Sequence, residues 1–291
     1  MRLLYASHTY LVNENQKKLT AIASLPQVEA LAAVVPHAWK EPVLLEITPH
    51  QDPKANFKLF PTPIAFSGNE MRYFYRSASL QMRRFKPDYI VVENGPGAFA
   101  YTQFILYQQM YAPKAKNVFF TWWNLPYTPR LPLRLLERWN LQNSAGAITG
   151  NQAAANILQN QGWSGPTLVL PQLGVDEQVF APGDASALKD KLEIEPGVPV
   201  IGYAGRLVPE KGLRVLMAAL NGIDDPFDLL VLGRGPLAPE LLTWSKRLAP
   251  HQRLHLLESV PHTAVADYMR AMDIFVLPSL STDFWLEQFG H

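Results

Sequence analysis

The sequence predicts an α/β protein of two domains, each built on a parallel sheet with helices on both faces. Three observations carry that prediction. Short apolar runs alternate with stretches of helical periodicity along most of the chain, the rhythm of strands joined by crossover helices. Some of those runs end in glycine and lead into a helical pattern, as in a Rossmann-like half-sheet. With 291 residues, 48% of them apolar and 18% charged, the chain is long enough for two ordinary cores and too apolar for disorder.

In the first domain, expected to cover residues 1–183, strands are predicted at 3–6, 43–47, 89–93, 118–121, 147–149 and 167–170. The run at 3–6 is too short for a signal-peptide core and reads as the first buried strand. At about 100° per residue, the segment 71–86 places Met71, Phe74, Tyr75, Ala78, Met82 and Phe85 on one stripe with Arg72, Arg76 and Arg83 beside it. That predicts an amphipathic basic helix, which either packs with a solvated face or also touches anionic lipid. Residues 171–184, which hold Gly174, Pro182 and Gly183, are the expected linker. The second domain, 184–291, has a more regular rhythm: strand 198–204, helix 210–221, strand 227–232, helix 238–248, strand 253–257, helix 263–272 and strand 274–277.

The net charge of +1 conceals an asymmetry, because residues 1–150 hold 16 Lys and Arg against 9 Asp and Glu, and residues 151–291 hold 10 against 16. A basic first half suits an anionic acceptor or an anionic membrane surface, and it equally serves solubility. The absence of cysteine excludes disulfides, thiolate metal sites and a cysteine nucleophile. No apolar run approaches the about 18 residues that read as a membrane span. The expected location is cytoplasmic, with peripheral contact on the inner membrane face through Arg72, Arg76 and Arg83 as the extension of that expectation.

The chemistry is concentrated in Ile201-Gly-Tyr-Ala-Gly-Arg-Leu-Val-Pro-Glu-Lys-Gly212, a buried strand turning through Gly205 toward a helix, with Arg206 and Lys211 at the turn. Glycine lets a ligand approach the backbone, a helix start offers free N–H groups, and two cations add charge. A diphosphate is the natural ligand; the bland alternative is a strand-end glycine followed by a solvated lysine. A second turn, Gly233-Arg-Gly-Pro-Leu-Ala238, also fits the dinucleotide pattern Gly-x-Gly-x-x-Ala. It follows the second strand of its domain rather than the first, and Glu258 is only roughly placed for a ribose contact, which disfavours a nicotinamide or flavin site.

These stretches resemble the motifs of family 4 (group 1) retaining glycosyltransferases of the GT-B fold. Four segments match in order. They are 201–212, the interdomain-like Leu168-Val-Leu-Pro-Gln-Leu-Gly-Val-Asp-Glu-Gln-Val-Phe-Ala-Pro182, the second glycine turn Leu229-Leu-Val-Leu-Gly-Arg-Gly-Pro236, and Ile274-Phe-Val-Leu-Pro-Ser279 followed by Glu287-Gln-Phe-Gly290. The resemblance implies a GT-B-like pair of Rossmann-like domains. It also implies that Arg206 and Lys211 hold the diphosphate of a nucleotide-sugar, and that Gly205, Gly233 and Gly235 lie close to the nucleotide. The backbone near Val260 would then meet the base, and Glu287 the donor sugar, with the amides of Phe289 and Gly290 beside it. An isolated acid at a helix start would need no such role.

The first half resembles the family mainly in layout. His8, Asn15, Lys17 and Lys18 follow the first strand, at the carboxyl edge where open α/β sheets bind ligands. The family usually has a glycine pair there, and this chain offers Lys17 or Lys18 as the anion contact instead. Thr121-Trp-Trp-Asn-Leu-Pro126 lies where many members carry a His near the transferred sugar. Its candidates are Asn124 as a polar amide and Trp122 or Trp123 as a stacking face, packing being the alternative for the indoles. Glu93-Asn-Gly-Pro-Gly97 ends another strand, and Glu93 or Asn94 is expected to face the cleft.

The resemblance implies metal-independent transfer of a sugar, with retention of configuration, to a hydroxyl of a glycan, a lipid-linked or a small-molecule acceptor. No metal-ligand spacing is visible, no cofactor is expected beyond the nucleotide-sugar substrate, and nucleic acid is not an expected partner. The family's second glutamate would fall past His291, so the C-terminal domain reads as incomplete. Two alternatives stand beside the active enzyme: a truncated, non-catalytic nucleotide-binding or interaction protein, and a GT-B nucleotide-sugar epimerase.

Overall fold

A computed structural model describes residues 1–41, 45–258, 260, 264–283 and 285–288. The chain divides into two compact units, Met1–Gly174 and Val175–His291. The division falls nine residues before the expected boundary after residue 183. Arg270 explains the difference, since its guanidinium donates from Nε to the Ala181 carbonyl at 2.8 Å and from Nη2 to that of Val179, tying this stretch to the second unit.

The first unit is organised by a seven-stranded sheet in the order Thr167–Val169, Gly146–Thr149, Lys116–Thr121, Tyr89–Val92, Arg2–Ala6, Ala30–Pro36, Lys58–Thr62. Every pairing in it is parallel. A parallel interior buries both faces of its strands, and Leu4, Ala32, Val34, Ile90, Val92 and Phe119 are fully buried. The register sets Ala6 beside both Val34 and Val92, so His8 and Glu93 leave the sheet at one edge. Thr121 ends level with Thr149 at that same edge.

Two expectations for this unit are corrected. The predicted strand 43–47 survives as Leu45–Ile47, which pairs antiparallel with Trp39–Glu41 in a separate ribbon, while residues 43 and 44 lie outside the described residues. The sheet positions beside Arg2–Ala6 go instead to Ala30–Pro36 and then Lys58–Thr62. The helix predicted at 71–86 forms only over Ala78–Phe85. From Arg72 to Arg76 burial alternates instead: Tyr73 and Tyr75 are fully buried while Arg72 and Arg76 are exposed, and Phe74–Tyr75 is a short strand. Buried hydroxyls explain the choice, because Tyr73 donates to Asn94 Oδ1 at 2.6 Å and Tyr75 donates to the Val34 carbonyl at 3.3 Å. Arg72, Arg76 and Arg83 therefore share no helical face; Arg83 alone is on the helix, its guanidinium 5.6 Å from the Tyr111 ring centre.

The second unit follows its sequence pattern closely. Its sheet runs Gln252–Leu257, Phe227–Leu232, Val200–Ala204, Ile274–Phe275, again all parallel. Alternate residues feed two cores. Ile201, Tyr203, Leu229 and Val231 pack with Leu213, Leu216 and Leu220 of helix Leu213–Leu220 and with Leu241 and Trp244 of helix Ala238–Ser245. Val200, Leu230 and Leu232 pack on the other face with Ile194 and Ala271. The register aligns Ala204 with Leu232 and Leu232 with Leu257, so the turns after all three strands emerge together. Among the described residues no helix is long and apolar enough to cross a membrane.

Candidate functional site

In the second unit the two glycine turns lock into each other. Gly205 N donates to the Leu232 carbonyl at 2.9 Å, Leu207 N to the Arg234 carbonyl at 2.8 Å, and Leu237 N to the Leu207 carbonyl at 3.0 Å. At Gly233, with φ +150°, an added Cβ would stand 1.9 Å from the Gly205 carbonyl oxygen, so only glycine permits this contact. At Gly235, with φ +157°, an added Cβ would stand 2.4 Å from the Leu207 carbonyl oxygen. The result is a floor of closely packed glycine backbone where strand ends meet, with the Tyr203 hydroxyl against Gly205.

Beyond Gly205 the chain does not enter its helix directly. Pro209–Lys211 forms a 3-10 turn, Gly212 takes φ +71°, and helix Leu213–Leu220 begins only there. A Cβ on Gly212 would meet the Pro278 carbonyl oxygen at 1.8 Å, and Leu280 N donates to the Glu210 carbonyl at 2.9 Å. The segment after strand Ile274–Phe275 is thus seated against the turn carrying the cations. That seating brings Glu287 to Lys211. Lys211 Nζ donates to Glu287 Oε2 at 2.5 Å and lies 5.0 Å from the Trp285 ring centre, and Ser279 Oγ donates to the same carboxylate oxygen at 2.7 Å.

Arg206 is held differently. Its carbonyl accepts from the Tyr203 hydroxyl at 2.7 Å, while its guanidinium, 62% exposed, is 3.8 Å from Glu210. The Tyr203 phenol is pushed up to about 12, chiefly by burial, with Arg206 pulling down and Glu287 and Glu210 adding to the rise, so the hydroxyl stays a neutral donor. Arg234 Nε donates to the Glu258 carbonyl at 3.0 Å, bracing the second turn. Val260 is half-buried against the second core, and Phe289 and Gly290 lie outside the described residues. The structure therefore brings together Gly205, Arg206, Lys211, Gly233, Gly235 and Glu287, and adds Ser279, Trp285 and Tyr203. Ser279 and Tyr203 were inside the quoted motifs; Trp285, two residues before the acid, carried no signal of its own.

The carboxyl edge of the first unit has another character. Glu93 is buried and accepts from Tyr10 at 2.8 Å, Thr9 at 3.3 Å, Lys18 Nζ at 2.5 Å and Gln172 Nε2 at 2.8 Å. Asn94 is buried too, accepting from Tyr73. Both side chains are engaged inside the first unit, Glu93 by four donors and Asn94 by the Tyr73 hydroxyl. Lys18 rather than Lys17 reaches the acid, and Lys17 is exposed. Asn15 donates to the Thr9 carbonyl at 2.8 Å, closing the turn after the first strand. His8 stacks on Trp39 at 4.6 Å and sits 3.5 Å from Glu70, whose carboxyl is held below its ordinary value mainly by that hydrogen bond. Trp122 packs edge-on to Phe120, donates to Gln172 at 2.6 Å and covers Gly150, where a Cβ would meet the indole at 1.9 Å. Asn124 is buried and Trp123 is half-exposed. Gln172, which joins Glu93 and Trp122, was unremarked in the interdomain-like segment.

Residues 184–291 match the model of the family described as glycosyl transferases group 1. Among curated proteins the chain is 28% identical over 152 residues to 2-deoxystreptamine glucosyltransferase of Streptomyces kanamyceticus, covering 50% of this chain and 39% of that protein. It is 32% identical over 120 residues to D-inositol 3-phosphate glycosyltransferase of Segniliparus rotundus, covering 39% of this chain and 27% of that protein. The chain thus spans well under half the length of these relatives. Among solved structures, HepE of Anabaena in complex with UDP superposes with a TM-score of 0.66 at 15% identity, over 97% of this chain and 75% of that one. Sucrose-phosphate synthase of Thermosynechococcus elongatus gives 0.66 at 15%, over 100% and 77%. Likeness at that identity establishes the fold, the α/β architecture of GT-B glycosyltransferases with parallel sheets.

Proposed function

We propose, from a chain whose residues 184–291 match glycosyl transferases group 1, that this protein moves a sugar from a nucleoside-diphosphate sugar to an acceptor hydroxyl with retention of configuration. The observation that carries the reading is the meeting of Lys211 and Glu287 at 2.5 Å beside the interlocked glycine turns. A cation and a carboxylate beside a floor of glycine backbone suit a ligand that is anionic at one end and polyhydroxylated at the other.

In this reading the diphosphate lies on the backbone at Gly205 and Gly233, and Arg206 and Lys211 stabilise the negative charge that builds on it as the glycosidic bond breaks. Glu287 accepts hydroxyl hydrogen bonds from the departing sugar, and Ser279 and Lys211 fix the carboxylate for that task. The leaving phosphate takes the proton of the incoming hydroxyl on the same face, so no enzymic nucleophile is assigned. Binding of UDP by the Anabaena structure makes a uridine nucleotide the first donor to try.

Calorimetric titration of the whole chain with UDP, GDP, ADP and TDP tests the donor site. One nucleotide should bind, and Lys211→Ala or Arg206→Ala should weaken it by about 1.5–3 kcal/mol each, the range for a hydrogen bond to a charged group. A folded chain that binds none of the four, or binds equally in both variants, rejects the reading.

A further inference from the structure

We propose that Glu287 sets the order of affinities in the second unit's ligand site, opposing a bare nucleoside diphosphate and admitting the same nucleotide when it carries a sugar. This role rests on the reading of Arg206 and Lys211 as ligands of a diphosphate. It adds a residue that discriminates the donor from the nucleotide left after transfer.

Each cation of the first glycine turn already faces an acid. Lys211 Nζ donates to Glu287 Oε2 at 2.5 Å, and the Arg206 guanidinium is 3.8 Å from Glu210. The two pairs differ in shielding. Arg206 is largely exposed, so water weakens its pair, whereas the Lys211 and Glu287 side chains are only 13% and 27% exposed. The Trp285 ring, centred 5.0 Å from Nζ, attracts the ammonium without cancelling its charge. Ser279 Oγ donates to the same Oε2 at 2.7 Å and anchors the carboxylate there. Glu287 is thus a fixed anion at the ammonium. Its charge also reaches the glycine floor, because it adds to the rise of the Tyr203 phenol, whose hydroxyl lies against Gly205.

A phosphate that comes to Lys211 therefore shares the ammonium with a carboxylate, and the two ligands meet that carboxylate differently. A free terminal phosphate loses its second proton at a pH of about 6, so at neutral pH the bare nucleotide ends in a dianion with no donor. Beside Glu287 that end is repelled. In the sugar conjugate the terminal phosphate is esterified, so one negative charge is gone and hydroxyls follow it. Hydroxyls donate to a carboxylate. The same acid hydrogen-bonds one ligand and repels the other, so its contact changes sign once the sugar has left and favours release of the nucleotide.

The test is calorimetry of the full chain and of Glu287→Gln with UDP, GDP, ADP and TDP, each beside its glucose conjugate. The amide keeps an acceptor for Ser279 and Lys211 and removes only the charge. Variants that distort the turn are no substitute, since they move the cation together with the acid. For the nucleotide that binds, Glu287→Gln should tighten the bare diphosphate about tenfold, as loss of one close like-charge contact implies. The glucose conjugate should change by less than about threefold, and the gain for the bare nucleotide should shrink as salt is raised. Ser279→Ala loosens the carboxylate but keeps its charge, and should give a gain of less than about threefold. Circular dichroism confirms that both variants are folded. The proposal is overturned if Glu287→Gln binds the bare nucleotide no more tightly than the native chain, if the conjugate gains as much, or if Ser279→Ala gives the same gain. The last result would make Glu287 a tether for its segment. If none of the four nucleotides binds either chain, the donor reading fails and this role with it, whereas native binding without a gain in Glu287→Gln rejects this role alone.

Discussion

The carboxyl edges of the two sheets use charge in opposite ways. In the first unit Glu93 is enclosed by four donors from Thr9, Tyr10, Lys18 and Gln172, so its charge is spent on holding its own loops together. In the second unit Arg206 reaches solvent, and Lys211 and Glu287 meet each other over a floor of glycine backbone. Both are carboxyl edges of parallel sheets, the place where such folds bind ligands, yet the acid is enclosed in the first and meets its cation beside a glycine floor in the second. A charged residue at a sheet edge is thus informative only together with its partners.

The contrast can be broken first at Glu93. Glu93→Ala strands the Lys18 ammonium beside the buried edge and should destabilise the first unit by about 3–5 kcal/mol, as loss of one member of a buried pair does. Urea unfolding measures this; a loss below about 1 kcal/mol would mean that the network is loose and the acid available to a ligand. Next is Gly212→Ala, which combines positive φ with a clash at Pro278. It should cost the second unit about 3 kcal/mol and displace Glu287 from Lys211, with nucleotide affinity falling in parallel. Arg206→Ala sharpens the comparison from the other side. Stability should change by no more than about 0.5 kcal/mol, as for surface positions generally, although nucleotide binding suffers.

The smallest effect concerns Glu137. Burial raises its carboxyl above the ordinary range, with the Tyr127 hydrogen bond pulling partly back. Between the unfolded and folded values the native chain holds a proton the unfolded chain lacks, so this residue makes stability fall as pH rises through that window. Glu137→Gln should flatten the pH dependence there and leave the urea midpoint at neutral pH unchanged or slightly higher. An unaltered slope would show that the carboxylate is solvated.

The second unit was legible because its signals are local: strand Phe227–Leu232 is a continuous apolar run, and its turn is marked by Gly233 and Gly235. What escaped the sequence was decided by distant partners. Ala30–Pro36 is rich in alanine, a weak strand former, and becomes a strand because Arg2–Ala6 and Lys58–Thr62 flank it. Lys58–Thr62 contains Pro61, which argues against a central strand; it lies at the sheet edge, where proline is tolerated. Residues 71–77 carry a helical pattern and a two-residue alternation at once, and the buried hydroxyls of Tyr73 and Tyr75 decide for the latter. In the candidate site, Arg206, Lys211 and Glu287 were named from the resemblance of their motifs, and the structure sets Lys211 against Glu287. The enclosure of Glu93 was not, since Gln172 stands 79 residues away from it in sequence.

The close approach of Gly212 to Pro278 has a consequence for the order in which the protein is made. Lys211 leaves the ribosome 76 residues before Glu287, and it meets that carboxylate only once the segment from Pro278 to Glu287 has docked. During synthesis the nascent second unit passes through a period in which the Lys211 ammonium stands without this carboxylate.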